Sequence, residues 1–493
     1  MIETSYLPLA ACLASLVAVL PISLSGSRPN VREAFTFLAG FAKLFFVCSM
    51  LTGVVEGKVY EFTLCNILPN APLQFRVDTF GMFFALVASS LWIVTSLYSI
   101  GYMRGLKEHA QTRFFSFFAV ALSATIGVAF SANLLTLYVF YELLSLSTYP
   151  LVTHHQDKEA RGGGRTYLTY LLGTSVGFAL PALIFIAWKT GGAMDFSAAG
   201  MLAGKIDGPE GTVLLLLLVF GFAKGGLMPF HSWLPGAMVA PTPVSALLHA
   251  VAVVKVGVFC ILRVITGVFG VEFLQELGAV NIITGVAAFT VVTSSLIALT
   301  QDNLKRRLAF STIGQLSYII LGASLLTRSG MTGSFMHIAM HAFGKITLFF
   351  CAGAIFEATG RKYISQLNGI GKAMPYTMTA FAIGAMSVIG LPLTGGLISK
   401  FYLVYGTVEG QQYWMTAVYL ISSLLNAAYF FPLIFRAFFT KEPDPAFDDG
   451  VKEAHPACVA ALMFTAVCSV VLFFFPGPFF QLADLTAQTM FGL

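Results

Sequence analysis

The chain has 493 residues, 57% hydrophobic and 10% charged, with a formal net charge of +5 and a mean hydropathy of +0.82. A water-soluble globular chain of this length does not carry such a composition. Nothing remains for a soluble catalytic or nucleic-acid-binding domain, so an all-α polytopic membrane protein in a single domain, residues 1–493, is expected.

Apolar runs of roughly 18 residues or more recur throughout, the length needed to cross about 30 Å of hydrocarbon as a helix. Read against polar breaks, they predict fourteen transmembrane helices. These cover about 4–24, 34–55, 78–102, 113–131, 133–153, 166–188, 212–239, 242–268, 280–300, 306–326, 332–357, 375–408, 412–439 and 455–480. The seventh and twelfth are interrupted. The first run follows Glu3 and has neither a basic leader nor a small-residue cleavage site, so it is read as a retained span.

Lysine and arginine test that count. With the N-terminus outside, Arg28, Arg32, Arg104, Lys107, Arg113, Lys158, Arg161, Arg165, Lys305, Arg306, Arg307, Arg361, Lys362, Lys372, Arg436, Lys441 and Lys452 fall in cytoplasmic loops. The opposite loops hold only Lys58, Arg76, Lys189, Lys205 and Arg328. This bias predicts both termini outside. Six bases are left at membrane depth: Lys43, Lys224, Lys255, Arg263, Lys345 and Lys400. A lone charge at a helix centre costs about 2.5–3.5 kcal/mol on insertion scales, so several in one chain imply a hydrated or mutually paired interior. Lys43 is read as a lipid-level or interface residue.

Glu142, in "VFYELLSLSTYPLV", is the only acid well inside a span, and hydroxyls flank it. Lys224 is its expected partner, as a proton switch or as a structural ion pair. The stretch "FGFAKGGLMPFHSWLPG" explains where that lysine sits: Gly225, Gly226 and Pro229 should break the seventh helix beside it. A broken membrane helix is tolerated only where its free backbone groups face protein or water. Snorkelling to a headgroup is the alternative.

In the eighth span, His249 and Lys255 lie about 120° apart around the helix, so they can pass a proton between neighbours, although His249 also fits a satisfied core histidine. His337, His341 and Lys345, at i, i+4 and i+8 in the eleventh, form one titratable stripe. No acid stands nearby and HExxH is absent, so no metal is expected. "GKIT" is no phosphate loop, because Ala339 replaces the required glycine. Pro392, Gly395 and Gly396 interrupt the twelfth span before Lys400, mirroring the seventh. The seven cysteines are scattered, without CxxC, and read as small apolar side chains.

Together these residues resemble the antiporter-like family shared by Mrp-type multisubunit cation/proton antiporters, the large membrane-arm subunits of respiratory complex I and membrane-bound hydrogenases. The resemblance rests on "FHSWLPGAMVAPTPVSALLHAVAVVKVGVF", "YELLSLSTYPL" and "NLKRRLAFSTIGQLSYI". It implies a fourteen-helix core with helices 4–8 and 9–13 as inverted repeats: peripheral helices over about 1–112, a first repeat at 113–268, a second at 280–439 and a last helix within 440–493. It also implies proton transfer along a polar axis through Glu142, Lys224, His249, Lys255, His341, Lys345 and Lys400, to which the stripe adds His337.

Within the family the chain looks most like the Mrp D-subunit group, and on that reading it should lack the long lateral helix of the largest complex I subunit. The expected function is proton translocation in a multisubunit membrane complex of the Na+(K+)/H+ antiporter type. The alternative is a proton-pumping subunit of a complex I-type NADH-quinone oxidoreductase or membrane-bound hydrogenase. Expected partners are other membrane subunits, protons, Na+ or K+ and the bilayer, with no nucleic acid. No cofactor is expected, since iron-sulfur, dinucleotide and haem patterns are missing. A self-sufficient cation exchanger would need more buried carboxylates than Glu142, and a quinone-binding subunit would need a dedicated site.

Overall fold

Several helices begin on a side chain that takes up a free N–H of the first turn. Asp78 accepts from the Gly81 N–H at 2.7 Å, Asn133 from Thr136 at 2.8 Å, Asp157 from Ala160 at 2.6 Å and Asp207 from Glu210 at 2.8 Å. Asn303 accepts from Arg306 at 3.0 Å and Thr327 from Gly330 at 3.2 Å. The computed structural model describes residues 2–68, 70–440, 447 and 450–492; Lys441, assigned above to a basic loop, lies outside them.

The spans run in order as Leu7–Leu24, Pro29–Val55, Thr79–Gly105, Gln111–Ala129, Leu134–Val152 and Lys158–Thr190. The seventh is Gly208–Gly221, followed by a 3-10 turn at Ala223–Gly225 and a short helix at Trp233–Gly236. Then come Thr242–Phe269, Val280–Thr300, Leu304–Ser324 and Arg328–Thr359. The twelfth is split into Pro375–Ile389 and Gly395–Glu409, and Tyr413–Phe439 and Pro456–Phe474 complete the set. Among the described residues eleven helices are long and apolar enough to cross a membrane unbroken. The two split spans and the tenth, headed by Lys305, Arg306 and Arg307, bring the number to the expected fourteen.

Three elements were not foreseen. Strand β1 (Ile2–Thr4) pairs in parallel with β2 (Val59–Leu68), which pairs antiparallel with β3 (Ala71–Val77). "VYEFTLCNIL" is rich in β-branched and aromatic residues but too short and polar to span, so the sheet forms a cap between the second and third spans. Short helices at Val271–Leu277 and Gly477–Met490 also fall below spanning length, the longer reaching only about 21 Å.

Loop contacts group the loops into two sets. Ser131 bridges Phe75, and Asn133 bridges Asp195, at one end of the bundle. At the other end Asn303 bridges Tyr363, and Arg113 donates to the His154 carbonyl at 2.8 Å. Loops assigned to the same side by their Lys and Arg content thus meet. The eighth and eleventh spans are buried along their whole apolar windows, whereas the first, second, thirteenth and fourteenth present most of theirs to the outside. The two helices that carry His249 with Lys255 and His337, His341 with Lys345 are therefore the central ones.

Candidate functional site

The seventh span breaks where its sequence dictates, and the break rests on the eighth. Gly257 allows this contact: a Cβ there would lie 2.1 Å from the Lys224 carbonyl carbon and 2.1 Å from the Gly225 nitrogen. The 3-10 turn that carries Lys224 turns its ammonium toward the fifth span. Nζ donates to the Tyr141 carbonyl at 2.8 Å and to the Ser145 hydroxyl at 2.6 Å, with the Tyr141 ring centroid 3.1 Å away. The aromatic face adds a cation–π contribution in this desolvated setting.

Glu142 does not close an ion pair with Lys224. Its two carboxylate oxygens are buried, and no protein group bonds to them. The two charges remain within Coulombic reach, but the hydroxyl and carbonyl of the neighbouring helical turns occupy the ammonium. The direct pair expected from sequence is corrected on this point.

Beyond Gly257 the row continues. Lys255 Nζ lies 2.7 Å from His341 Nδ1, linking the eighth and eleventh spans. The His341 ring stacks near that of His337, with centroids 5.8 Å apart. His337 contacts Ser399 Oγ at 2.8 Å through Nδ1 and Gln315 Oε1 at 3.0 Å through Nε2. One turn further along the eleventh span, Lys345 donates to Ser311 Oγ at 2.7 Å, and the Tyr429 hydroxyl donates to the same Oγ at 2.8 Å. The single hydroxyl proton of Tyr429 can go instead to Asn426 Oδ1.

Lys400 follows the split in the twelfth span. It reaches back to the Ile389 carbonyl at 3.0 Å and to Ser423 Oγ at 3.1 Å, with the Tyr318 ring centroid 4.7 Å from Nζ. Its stem crosses Gly390, whose φ of 90° suits only a residue without a side chain. A Cβ there would stand 2.7 Å from Lys400 Cδ.

His249 sits in a π-turn, Leu247–Val251, a local irregularity often found at functional positions, with its ring 4.6 Å from that of Phe349. Neither ring nitrogen bonds to a protein group, so it is no satisfied core histidine. Of the eight sequence-chosen residues, Glu142 is half-buried, and the other seven are at most 7% exposed.

Two depth-level bases leave the row. Arg263 forks onto Asp78 at 2.6 and 2.7 Å and packs on Phe80, a bidentate clamp between the eighth span and the start of the third. Lys43 is fully buried and donates to Ser15 at 2.7 Å beneath the Trp92 ring. It is neither lipid-level nor interfacial, because the first and third spans cover it. Ser145, one of the hydroxyls flanking Glu142, serves the lysine rather than the carboxylate; the acceptors Ser311, Gln315, Ser399 and Ser423 were missed, since serine and glutamine in apolar helices mark no position until the facing helix is known.

On the side where the basic loops meet, a cavity of ≈810 Å³ opens among His231, Thr242, Lys305, Phe310, Ala352 and Lys362. Of its lining, Thr242 and Ala352 belong to the two spans that carry His249 and Lys345.

Residues 131–426 match the family described as NADH:quinone oxidoreductase/Mrp antiporter, TM. NADH-quinone oxidoreductase subunit N of Desulforudis audaxviator (strain MP104C) is 30% identical over 462 residues, covering 90% of this chain and 88% of that protein. A probable K(+)/H(+) antiporter A/B subunit of Rhizobium meliloti (strain 1021) is 34% identical over 380 residues, 75% of this chain but 37% of that protein. The chain likewise spans 56% of a Na(+)/H(+) antiporter A1 subunit of Staphylococcus aureus, at 29% identity over 88% of this chain. Two solved chains share the fold. One is in the Mrp complex from Dietzia sp. DQ12-45-1b, with TM-score 0.86, 20% identity and coverage of 99% of this chain and 97% of that one. The other is in the archaeal membrane-bound sulfane sulfur reductase, with TM-score 0.85, 24% identity and coverage of 99% and 98%. Motif, architecture and similarity agree, and the chain belongs to the multi-pass membrane family of NADH:quinone oxidoreductase and Mrp antiporter subunits.

Proposed function

We propose that this protein is a proton-translocating subunit of a multisubunit membrane complex, of the D-subunit type of Na+(K+)/H+ antiporters. Protons pass along Glu142, Lys224, Lys255, His341, Lys345, His337 and Lys400, with His249 beside the row. One observation carries this reading: Lys255, Lys345 and the three histidines occupy the two most enclosed helices, Lys224 and Lys400 stand at the breaks of the seventh and twelfth spans, and each of these lysines is held by neutral oxygen or nitrogen acceptors rather than by a carboxylate. A lysine locked to a carboxylate resists giving up its proton, whereas one held by hydroxyls, carbonyls and an imidazole can exchange it. The Lys255–His341 contact is a place where one proton has two basic sites 2.7 Å apart. The step from Lys224 to Lys255 exceeds a hydrogen bond and requires water or side-chain movement.

The two-repeat organisation, with the seventh and twelfth spans as counterparts, is supported by a shared arrangement. Lys224 lies over Tyr141 of the fifth span and Lys400 over Tyr318 of the tenth, helices that occupy the same place in the series 4–8 and 9–13. Both termini lie outside a bacterial or archaeal cytoplasmic membrane, following the Lys and Arg bias.

A second reading, a proton-pumping subunit of a complex I-type oxidoreductase, is favoured by the end-to-end match to a subunit N. Purification of the assembled complex distinguishes the two. Co-purifying flavin or iron-sulfur absorbance supports the oxidoreductase, and Na+- or K+-driven proton flux without it supports the antiporter. Reconstituted complex in which Lys224→Ala and Glu142→Ala each abolish proton flux at normal subunit content supports translocation. Normal flux in both variants overturns it.

A further inference from the structure

Outside the membrane row, four side chains gather where the loop between the third and fourth spans meets the loop between the fifth and sixth. Glu108 Oε2 lies 3.7 Å from His109 Nδ1, 3.8 Å from His154 Nε2 and 3.7 Å from His155 Nδ1. The ligating atoms of Glu108, His109 and His154 all fall within 4.8 Å of one another. These separations exceed the roughly 2.7–3.2 Å of an N–H···O hydrogen bond. They are slightly wider than the edge of a tetrahedron built on metal–ligand bonds of about 2.0–2.2 Å.

His154 is decisive. It is fully buried, and neither ring nitrogen bonds to a protein group. Both of its ring nitrogens are therefore open to an outside partner, and Nε2 is the one that faces Glu108. His109 is already oriented as a ligand. Its Nε2 lies 3.1 Å from the His154 carbonyl, and donating there leaves Nδ1, the atom facing Glu108, with its lone pair. A second hydrogen bond that fixes tautomer and ring plane is typical of metal-binding imidazoles.

We infer that Glu108, His109 and His154 hold a divalent transition-metal cation of the Zn2+ class, with His155 or a solvent oxygen in the fourth position. Imidazole nitrogens with a single carboxylate suit Zn2+ and disfavour Mg2+ or Ca2+, which take mostly oxygen ligands. Glu108 and His155 both line the ≈810 Å³ cavity, so the ion would tie two loops together at its rim. None of the four residues belongs to the proton row, and the inference stands apart from that reading.

The test is titration of the full-length protein in its purified complex, stripped with chelator, with ZnCl2 followed by calorimetry and CoCl2 followed by its visible spectrum. The expected result is one Zn2+ per chain, a tetrahedral-type Co2+ spectrum, and affinity reduced at least about tenfold by His109→Ala and by Glu108→Gln. His109 is largely exposed, so its replacement leaves folding intact even where His154→Ala does not. Sub-stoichiometric binding by the wild type, undiminished binding in both variants, or equal affinity for Ca2+ would overturn the assignment.

Discussion

Lys255 Nζ and His341 Nδ1 lie 2.7 Å apart at the contact between the two most enclosed helices of the bundle, while His341 Nε2 bonds to no protein group. A fully buried lysine that loses the one side chain that accepts from it is left unsatisfied by protein, at about 1–3 kcal/mol. His341→Ala is expected to lower proton flux at least about tenfold, with a smaller loss in His341→Gln, which retains an acceptor. Flux in reconstituted vesicles, normalised to subunit content, checks both.

Gly257 places Lys224. Adding a methyl group at 257 drives a Cβ into the Lys224 carbonyl carbon, and overpacking of this kind costs typically about 1–3 kcal/mol. Gly257→Ala should therefore lose flux with only a modest fall in thermal stability. Unaltered flux would show that the seam does not govern the position of the ammonium.

Ser145 offers Lys224 its shortest acceptor, at 2.6 Å. Ser145→Ala is expected to reduce flux while Ser145→Thr largely preserves it. A volume effect alone would reverse that order.

Lys43 provides the contrast within one chain. It is as buried as Lys224, yet its hydrogen bond goes to Ser15 of the first span, and it joins no member of the row. Lys43→Met should leave flux within about twofold of wild type, whereas Lys224→Met abolishes it. Equal losses would mean that any buried lysine is merely structural.

Arg263 and Asp78 form a clamp whose loss should register as stability. Asp78 is 34% exposed, so solvent screening brings the cost of removing one partner below the about 3–5 kcal/mol of a fully buried pair. Asp78→Asn should lower the melting temperature and membrane level of the protein, and the double variant Asp78→Asn, Arg263→Met should recover part of it.

How far the chain could be read before folding depends on the range of each signal. The breaks in the seventh and twelfth spans were legible because glycine, proline and lysine stand within a few residues of each other. The eleventh-span stripe was legible because helical spacing alone puts His337, His341 and Lys345 together. The Arg263–Asp78 clamp was not, since 185 residues separate the partners. Nor was the histidine cluster, formed by two short pairs 45 residues apart. Lys43 was misplaced because composition cannot say which face of an outer helix meets a neighbour. The β cap was hidden for a different reason: a search for long apolar runs passes over a short alternating one.

The most direct test of the central claim is proton flux through the reconstituted complex carrying Lys255→Met, with assembly verified on the same sample. The account predicts flux reduced at least about a hundredfold in a complex that retains every subunit. Wild-type flux in that complex would contradict a path through the buried row.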